Sequence, residues 1–488
     1  MLKTNFMNQR FQQHFIDTLG HTPTNDQERM IGKLTEFIFA NQDHGVFLLK
    51  GYAGTGKTTL ISALIRLLPK VKQQAILLAP TGRAAKVLAS YSGKPAYTIH
   101  KKIYQLYSRK DGSVKVSLSR NPYSNAVFLV DEASMISDTS TSKNNFSKRS
   151  LLDDLMEYVF SGTHCKMILI GDVAQLPPVG LDLSPALNPH YLTTTYDITL
   201  QSGELKNVVR QTHDSGILTN ATQLREKLEM ADYSFPFFKT SGLKQVFRIT
   251  GSELEEALLD TFNQQQQGES VVITRSNKRA NIYNREIRKR ILFKESELDA
   301  GDLMMVVKNN YYWLEDDSKA GFIANGDLIE IEKVFGYKDI YDFRFADVAV
   351  RLVDYPDEGT LRVKLLLNTL ESESPALTYD ENQKLFNNIM ADFSDIPQRR
   401  KKMEQLKNSP YFNALQVKFA YSLTCHKTQG GQWENVFVEQ GFFRDDMLNE
   451  EYLRWLYTAL TRASKQLYLI NFKNEFFEDE DDIYFYDR

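Results

Sequence analysis

The sequence predicts an α/β protein with two parallel-sheet domains in tandem, and three observations carry that expectation. A first set of short apolar runs falls at residues 45–49, 75–79, 126–130 and 167–170, with helical patterns between them. A second set falls at 271–274, 417–423, 436–438 and 467–470. Continuous apolar runs of this length suit strands covered on both faces, as in parallel sheets. The third observation is length: 488 residues exceed one ordinary core and call for two or more domains.

Taken in order, the chain begins with Met7, Phe11, Phe15 and Leu19 at every fourth residue, the pattern of an amphipathic helix whose purpose is core packing. Between about 327 and 410 the texture changes. Val348, Val350 and Leu352 alternate with polar or small residues, as do Leu361, Val363 and Leu365, so half-buried antiparallel strands are expected as an insert in the second domain. A charged, helix-prone segment, 379–406, follows and carries Arg399-Arg400-Lys401-Lys402, for which a solvated face and phosphate contact both stand. Residues 139–150 read as a polar loop. The tail, 475–482, is acidic and ends in Ile483-Tyr484-Phe485-Tyr486, a candidate docking segment for a protein partner although a solvated tail is the simpler reading.

Composition narrows the classes. A hydrophobic share of 42% with 25% charged residues fits a soluble globular protein. The net charge of −3 gives no global basic signature, so any nucleic-acid binding must rest on local grooves. Cys165 and Cys425 stand in no metal-ligand spacing and read as reduced thiols. With no apolar start segment and no run near 18 apolar residues, the expected setting is cytoplasmic, without a membrane span.

Gly51-Tyr52-Ala53-Gly54-Thr55-Gly56-Lys57-Thr58 fits G-x-x-x-x-G-K-[ST] at every fixed position, after an apolar strand and before a helix. Its glycines let backbone amides close around phosphate at a helix N-terminus. Lys57 is expected to neutralise β- and γ-phosphates and Thr58 to hold Mg²⁺. About 75 residues on, an apolar strand delivers Asp131, a second Mg²⁺ candidate, and Glu132, a candidate base for the attacking water. Arg210 and Arg462, both in the second domain, are candidates to meet transition-state charge.

On these residues the chain resembles superfamily 1B DNA helicases, in pattern the Dda-like and RecD-like branch. Thr24-Asn25-Asp26-Gln27 looks like the Q-motif, whose glutamine reads adenine. Residues 79–85 are similar to motif Ia, Thr98-Ile99-His100 to motif Ib, and 171–179 to motif III, where Gln175 would sense the γ-phosphate. Val208-Val209-Arg210-Gln211 resembles motif IV, 274–278 a strand-end T-x-x-N-K element, 424–431 motif V, and 457–463 motif VI. Cys425 departs from motif V, where polar or aromatic residues are common.

The resemblance implies two RecA-like P-loop domains with a β-hairpin insert in the first and an SH3-like β-barrel insert in the second. The expected boundaries are 1–190 for the first domain, its insert at about 93–125, then 191–326 and 413–474 for the two parts of the second. The barrel with a helical extension is expected at 327–412, and the tail at 475–488. ATP contact is expected from Gln27, Gly51, Ala53, Gly54, Thr55, Gly56, Lys57, Thr58, Thr59, Gln429 and Gly430. A DNA track is expected from Pro80, Thr81, Gly82, Arg83, His100, Asn277, Lys278, Thr424, His426 and Lys427.

Asp111-Gly112 is a strong hairpin-turn pair, followed by alternation at Val114, Val116 and Leu118, and it lies where the family places its strand-separating pin. The expected activity is an ATP- and Mg²⁺-dependent helicase that moves 5′-to-3′ on single-stranded DNA and opens duplex junctions as a monomer. The rival readings are a motor subunit of a recombination-repair complex and a nucleotide-gated single-stranded DNA binding protein.

Overall fold

The first sheet is built from apolar runs buried on both faces. In chain order its strands and those of its insert are β1 (Gly45–Gly51), β2 (Gln74–Ala79), β3 (Ala96–Thr98), β4 (Tyr104–Ser108), β5 (Val114–Leu118), β6 (Ala126–Val130), β7 (Lys166–Gly171) and β8 (Thr199–Leu205). The computed structural model describes residues 2–108, 114–138, 149–209, 215–240, 242, 245–262, 267–315, 318, 320 and 322–477. Six strands form one parallel sheet in the order β3-β2-β6-β7-β1-β8. β1, β6 and β7 occupy its middle, and each is almost wholly buried. β8 is an edge strand, and its sequence, Thr-Leu-Gln-Ser-Gly-Glu-Leu, is correspondingly polar, with only Gly203 and Leu205 buried. That is why periodicity did not reveal it.

The N-terminal helix, Leu2–Leu19, packs Phe11, Phe15 and Leu19 against this domain, whereas Met7 stays exposed. β4 and β5 pair antiparallel from Tyr104–Leu118 to Ser108–Val114, so the expected hairpin is present. Its Asp111-Gly112 turn lies outside the described residues, as do most of loop 139–150 and the tail from 478 onward. The hairpin base is tied down where the Tyr104 hydroxyl donates to Asp154 at 2.7 Å.

The second sheet and its insert continue with β9 (Val246–Ile249), β10 (Ser270–Thr274), β11 (Leu303–Val306), β12 (Leu328–Ile340), β13 (Phe343–Leu352), β14 (Thr360–Leu366), β15 (Leu415–Phe419), β16 (Ser422–Thr424), β17 (Trp433–Glu439) and β18 (Ala463–Ile470). Five of these form a second parallel sheet in the order β16-β10-β17-β18-β9. Another five close a barrel, β11 to β15. The expected alternation holds there: Val348, Val350, Leu352, Val363 and Leu365 fill the barrel core.

Two expectations need correction. The apolar run 417–423 is not one strand of the second sheet; β15 closes the barrel and β16 enters the sheet, with Ala420 and Tyr421 between them. The barrel also reaches outside 327–412, because β11 and β15 pair with each other through Met304 and Phe419. A buried charge cluster sits at this root: Arg288 and Lys294 both bond Asp302, and the Tyr421 hydroxyl donates to Asp302 at 3.1 Å.

The helices Tyr379–Ala391 and Arg399–Lys407 cover one end of the barrel through Leu385, Ile389 and Leu406. Arg399, Arg400 and Lys401 point to solvent. At its other end the barrel meets the first domain. Lys86 donates to Asp354 at 3.0 Å, and the Asp327 carboxylate lies so close to Gly82 that a Cβ there would stand 2.2 Å from it. Among the described residues no helix is long and apolar enough to cross a membrane.

Candidate nucleotide site and strand track

A cleft of about 570 Å³ lies where the two sheets face each other, lined from both domains. β1 ends at Gly51, and the chain turns through Gly54 and Gly56 at φ +74° and +81° into the helix Lys57–Leu67. Only glycine adopts such angles freely, so the loop geometry requires these two residues. Gly56 caps that helix without any side-chain bond, which leaves its N-terminal amides free to receive an anion. Lys57 donates to the carbonyls of Gly51 and Tyr52 at 2.6 and 2.8 Å, and its ammonium lies 4.0 Å from Asp172.

β6 delivers the paired carboxylates. Asp131 accepts from the Tyr91 hydroxyl at 2.7 Å and from the Glu132 amide at 2.9 Å. Glu132 takes φ +52°, an uncommon angle for a residue with a side chain, and so enters the cleft at a sharp turn. Burial pushes its carboxyl up, Asp131 and Asp172 add to the rise, and Arg462 and Lys57 oppose it. A raised carboxyl is a better proton acceptor than a free one. Gln175 lines the same cleft, and its Oε1 is buried without a hydrogen-bond partner.

The second domain supplies Arg462. It is 5% exposed and held by the Thr458 carbonyl at 3.0 Å and the Gly431 carbonyl at 3.3 Å, on the cleft wall near Glu132. Arg210 and Gln211 lie outside the described residues. The described neighbour Val209 donates its amide to the Gly54 carbonyl at 3.0 Å.

Of the other expected nucleotide contacts, Ala53, Gly54, Gly56, Thr58, Thr59 and Gly430 line the cleft. Thr55 is fully buried and bonds the Tyr52 carbonyl, so it shapes the loop from behind. Gln27 differs from expectation. Its side chain is fully buried, accepting from the Thr24 amide and donating to the Thr55 carbonyl at 3.4 Å, and it braces the loop away from the cleft wall. Gln429 likewise donates to the Leu176 carbonyl at 2.6 Å. The sequence reading missed His21, which lines the cleft with a buried, unpartnered Nε2. For a magnesium ion, Thr58 and Asp131 form an all-oxygen donor set beside the loop, the chemistry a hard cation requires.

The strand-track candidates divide. Pro80 and Thr81 are partly exposed at the end of β2, and Thr81 caps the next helix by accepting from the Ala84 amide. Gly82 is buried against Asp327. Arg83 is corrected: its guanidinium lies 3.7 Å over the Trp433 ring and donates to the Gln432 carbonyl at 3.0 Å, so it joins the two domains. Burial lowers it to about 10, with Arg462 adding to the fall.

His100 lies beside Tyr104, ring centroids 5.7 Å apart and planes tilted, and is lowered by burial. Asn277 donates to the Glu373 carbonyl at 3.0 Å, and Lys278 is exposed. Thr424 and His426 are partly exposed; Lys427 is lowered to about 8 by burial, then by Lys418, and its Nζ has no partner. Cys425 faces away, donating to the Trp455 carbonyl, so the departure in this motif falls on a buried face.

Comparison with known proteins gives two family matches, described as an AAA domain over residues 24–233 and a UvrD-like helicase C-terminal domain over residues 419–470. The uncharacterized protein R530 of Acanthamoeba polyphaga mimivirus is 24% identical over 90% of this chain and 98% of its own length. The ATP-dependent DNA helicase dda of Enterobacteria phage T4 is 25% identical over 80% of this chain and 86% of its own. A solved structure of two coordinating Pif1 helicases at forked double-stranded DNA matches 94% of this chain and 95% of that chain, at 16% identity and a TM-score of 0.46.

Proposed function

We propose that this chain, which belongs to the superfamily 1B helicases, is an ATP-dependent DNA helicase that moves 5′-to-3′ on single-stranded DNA. The observation that carries the reading is one cleft with Lys57, Asp131 and Glu132 on one wall and Arg462 on the other. Phosphoryl transfer needs positioning and positive charge more than covalent chemistry, and here the charge comes from both domains. Nucleotide binding would therefore draw the domains together, and release would let them part.

In this reading Lys57 binds the terminal phosphates, Glu132 takes the proton of the attacking water, and Gln175 orients it. A bound magnesium ion, held by Thr58 and Asp131, would neutralise phosphate charge. Arg462 meets the charge that develops in the transition state. The strand would run over the ends of both sheets, past Thr81 and His100 on one domain and Thr424, His426 and Lys427 on the other. Contacts of this kind grip the backbone without reading sequence.

The hairpin β4–β5 would split the duplex. Replacing residues 108–117 with a short Gly/Ser turn should keep DNA-stimulated hydrolysis and abolish most unwinding; wild-type unwinding would remove the hairpin from the mechanism. The direct test of the whole reading is ATPase with and without single-stranded DNA, followed by unwinding of matched duplexes carrying a 5′ or a 3′ tail. Stimulation by DNA with unwinding from the 5′ tail is expected. Unwinding only from the 3′ tail overturns the polarity, and absence of stimulation overturns the motor.

A further inference from the structure

We propose that the Tyr457 phenol is a positioning residue that couples the phosphate loop and Asp172 of the first domain to the second, so that hydrolysis depends on their closure. The inference rests on the helicase reading and names a residue that the sequence motifs left without a role. Tyr457 lies on the helix Glu450–Leu460, one and a half turns before Arg462, and is 1% exposed. Its hydroxyl donates to Asp172 Oδ2 at 2.7 Å and accepts from the Ala53 amide at 2.8 Å. Both partners belong to the other domain.

Ala53 is in the phosphate loop, and Asp172 is the carboxylate 4.0 Å from Lys57. Asp172 is itself 1% exposed, and its second oxygen accepts from the Ala174 amide at 2.9 Å. A buried carboxylate is costly unless its hydrogen bonds are made, so removing the phenol proton leaves Asp172 Oδ2 without its short donor and with only the Lys57 ammonium at 4.0 Å beside it. Burial, and then the neighbouring Asp172 carboxylate, raise the phenol well above its ordinary value, which keeps that proton in place at neutral pH.

Other bonds cross the same seam, and they differ in kind. The Thr458 hydroxyl accepts from the Leu176 amide at 2.8 Å, and Arg454 donates to the Val173 carbonyl. These reach only the backbone of the 172–176 loop. Tyr457 alone among these three reaches a charged side chain and a phosphate-loop amide together. When the second domain moves, the phenol must move with it, and Asp172 and the loop lose their alignment at the same moment as Arg462 withdraws.

The test is Tyr457→Phe, which keeps the ring and its packing, compared with Thr458→Val, which removes a cross-domain bond of similar geometry. Steady-state ATPase with single-stranded DNA is read for both. Tyr457→Phe is expected to lower kcat about tenfold with KM for ATP changed less than threefold, whereas Thr458→Val keeps both near wild type. A Tyr457→Phe enzyme within twofold of wild type in kcat overturns the proposal, as does an identical loss in both variants, which would reduce Tyr457 to seam strength. A double-mutant cycle with Asp172→Asn gives an independent readout: non-additive losses support the coupling and additive losses refute it. Absence of DNA stimulation in the wild type would instead defeat the helicase reading, and the basal rate of Tyr457→Phe would still decide this one.

Discussion

The two parallel sheets solve the same local problem in opposite ways. β1 passes through Gly54 and Gly56 into the helix Lys57–Leu67, whose first amides receive no side-chain cap. β10 passes into the helix Asn277–Glu286, where the Ser276 hydroxyl accepts from the Arg279 amide at 3.2 Å. The first arrangement leaves donors for a ligand; the second satisfies one internally. One sheet can thus present a phosphate site while its counterpart contributes side chains from a different element, the helix Glu450–Leu460 and the turn after it. Two copies of one architecture need not hold two sites. What divides them is the chemistry at the strand-to-helix turn.

The strongest way to break this comparison is to disable the open turn. Lys57→Ala and Glu132→Gln should each abolish DNA-stimulated ATPase, the first with weakened nucleotide binding and the second with ATP still bound. Nucleotide-binding titrations beside turnover assays separate the two, and normal turnover in Glu132→Gln would remove that carboxylate as the base. Next in size is the contribution of the second domain. Arg462→Ala should lower kcat by roughly 10³ with a smaller change in ATP affinity. Normal hydrolysis in that variant would leave the first sheet catalytically self-sufficient.

A smaller effect concerns the contact between barrel and first domain. Burial, with Asp354 adding, raises the Asp327 carboxyl to about 7, against an ordinary value of 3.8. Folding therefore favours its protonated form. That contribution is full below the unfolded value, falls as pH rises, and is gone above about 7. Asp327→Asn cannot ionise, so the Tm of the variant should gain on wild type as pH rises from about 4 to about 7, by roughly 1 °C for each 1 kcal/mol of penalty removed. A Tm difference that does not vary with pH would show that the carboxyl stays charged or exposed. Smallest of all, Ser276→Ala should cost about 1 kcal/mol of stability in denaturant melts and leave ATPase unchanged. An effect on turnover would mean that the closed turn also takes part in the cycle.

Legibility in the sequence followed burial. The central strands β1, β6 and β7 stand out because both faces are covered, and the barrel strands β13 and β14 because only one is. β8 escaped because an edge strand has little to bury, and 417–423 misled because barrel and sheet are both apolar across Ala420-Tyr421. In the site, the gathering of Lys57, Glu132 and Gln175 in one cleft was legible because the motifs fix backbone geometry at strand ends. Arg83, read as a strand contact, is instead spent on Trp433, since a guanidinium stacks on an aromatic ring as readily as it pairs with phosphate. Tyr457 went unread for the opposite reason: an aromatic residue on an amphipathic helix looks like core, and nothing in the pattern shows that its hydroxyl crosses to another domain.

The pairing of β11 with β15 bears on the order in which the chain folds. β10 and β16 are neighbours in the second sheet through residues 272 and 422, a contact between segments remote along the chain. Such pairs are slow to form when the intervening chain must close as an open loop. Here Met304 already lies opposite Phe419, so a barrel that condenses first would deliver β16 to β10 with only residues 275–302 left to close instead of the whole span from β10 to β16. The insert would then act as a kinetic scaffold for its host, and weakening the Asp302 cluster at its root should slow refolding of the second sheet more than that of the first.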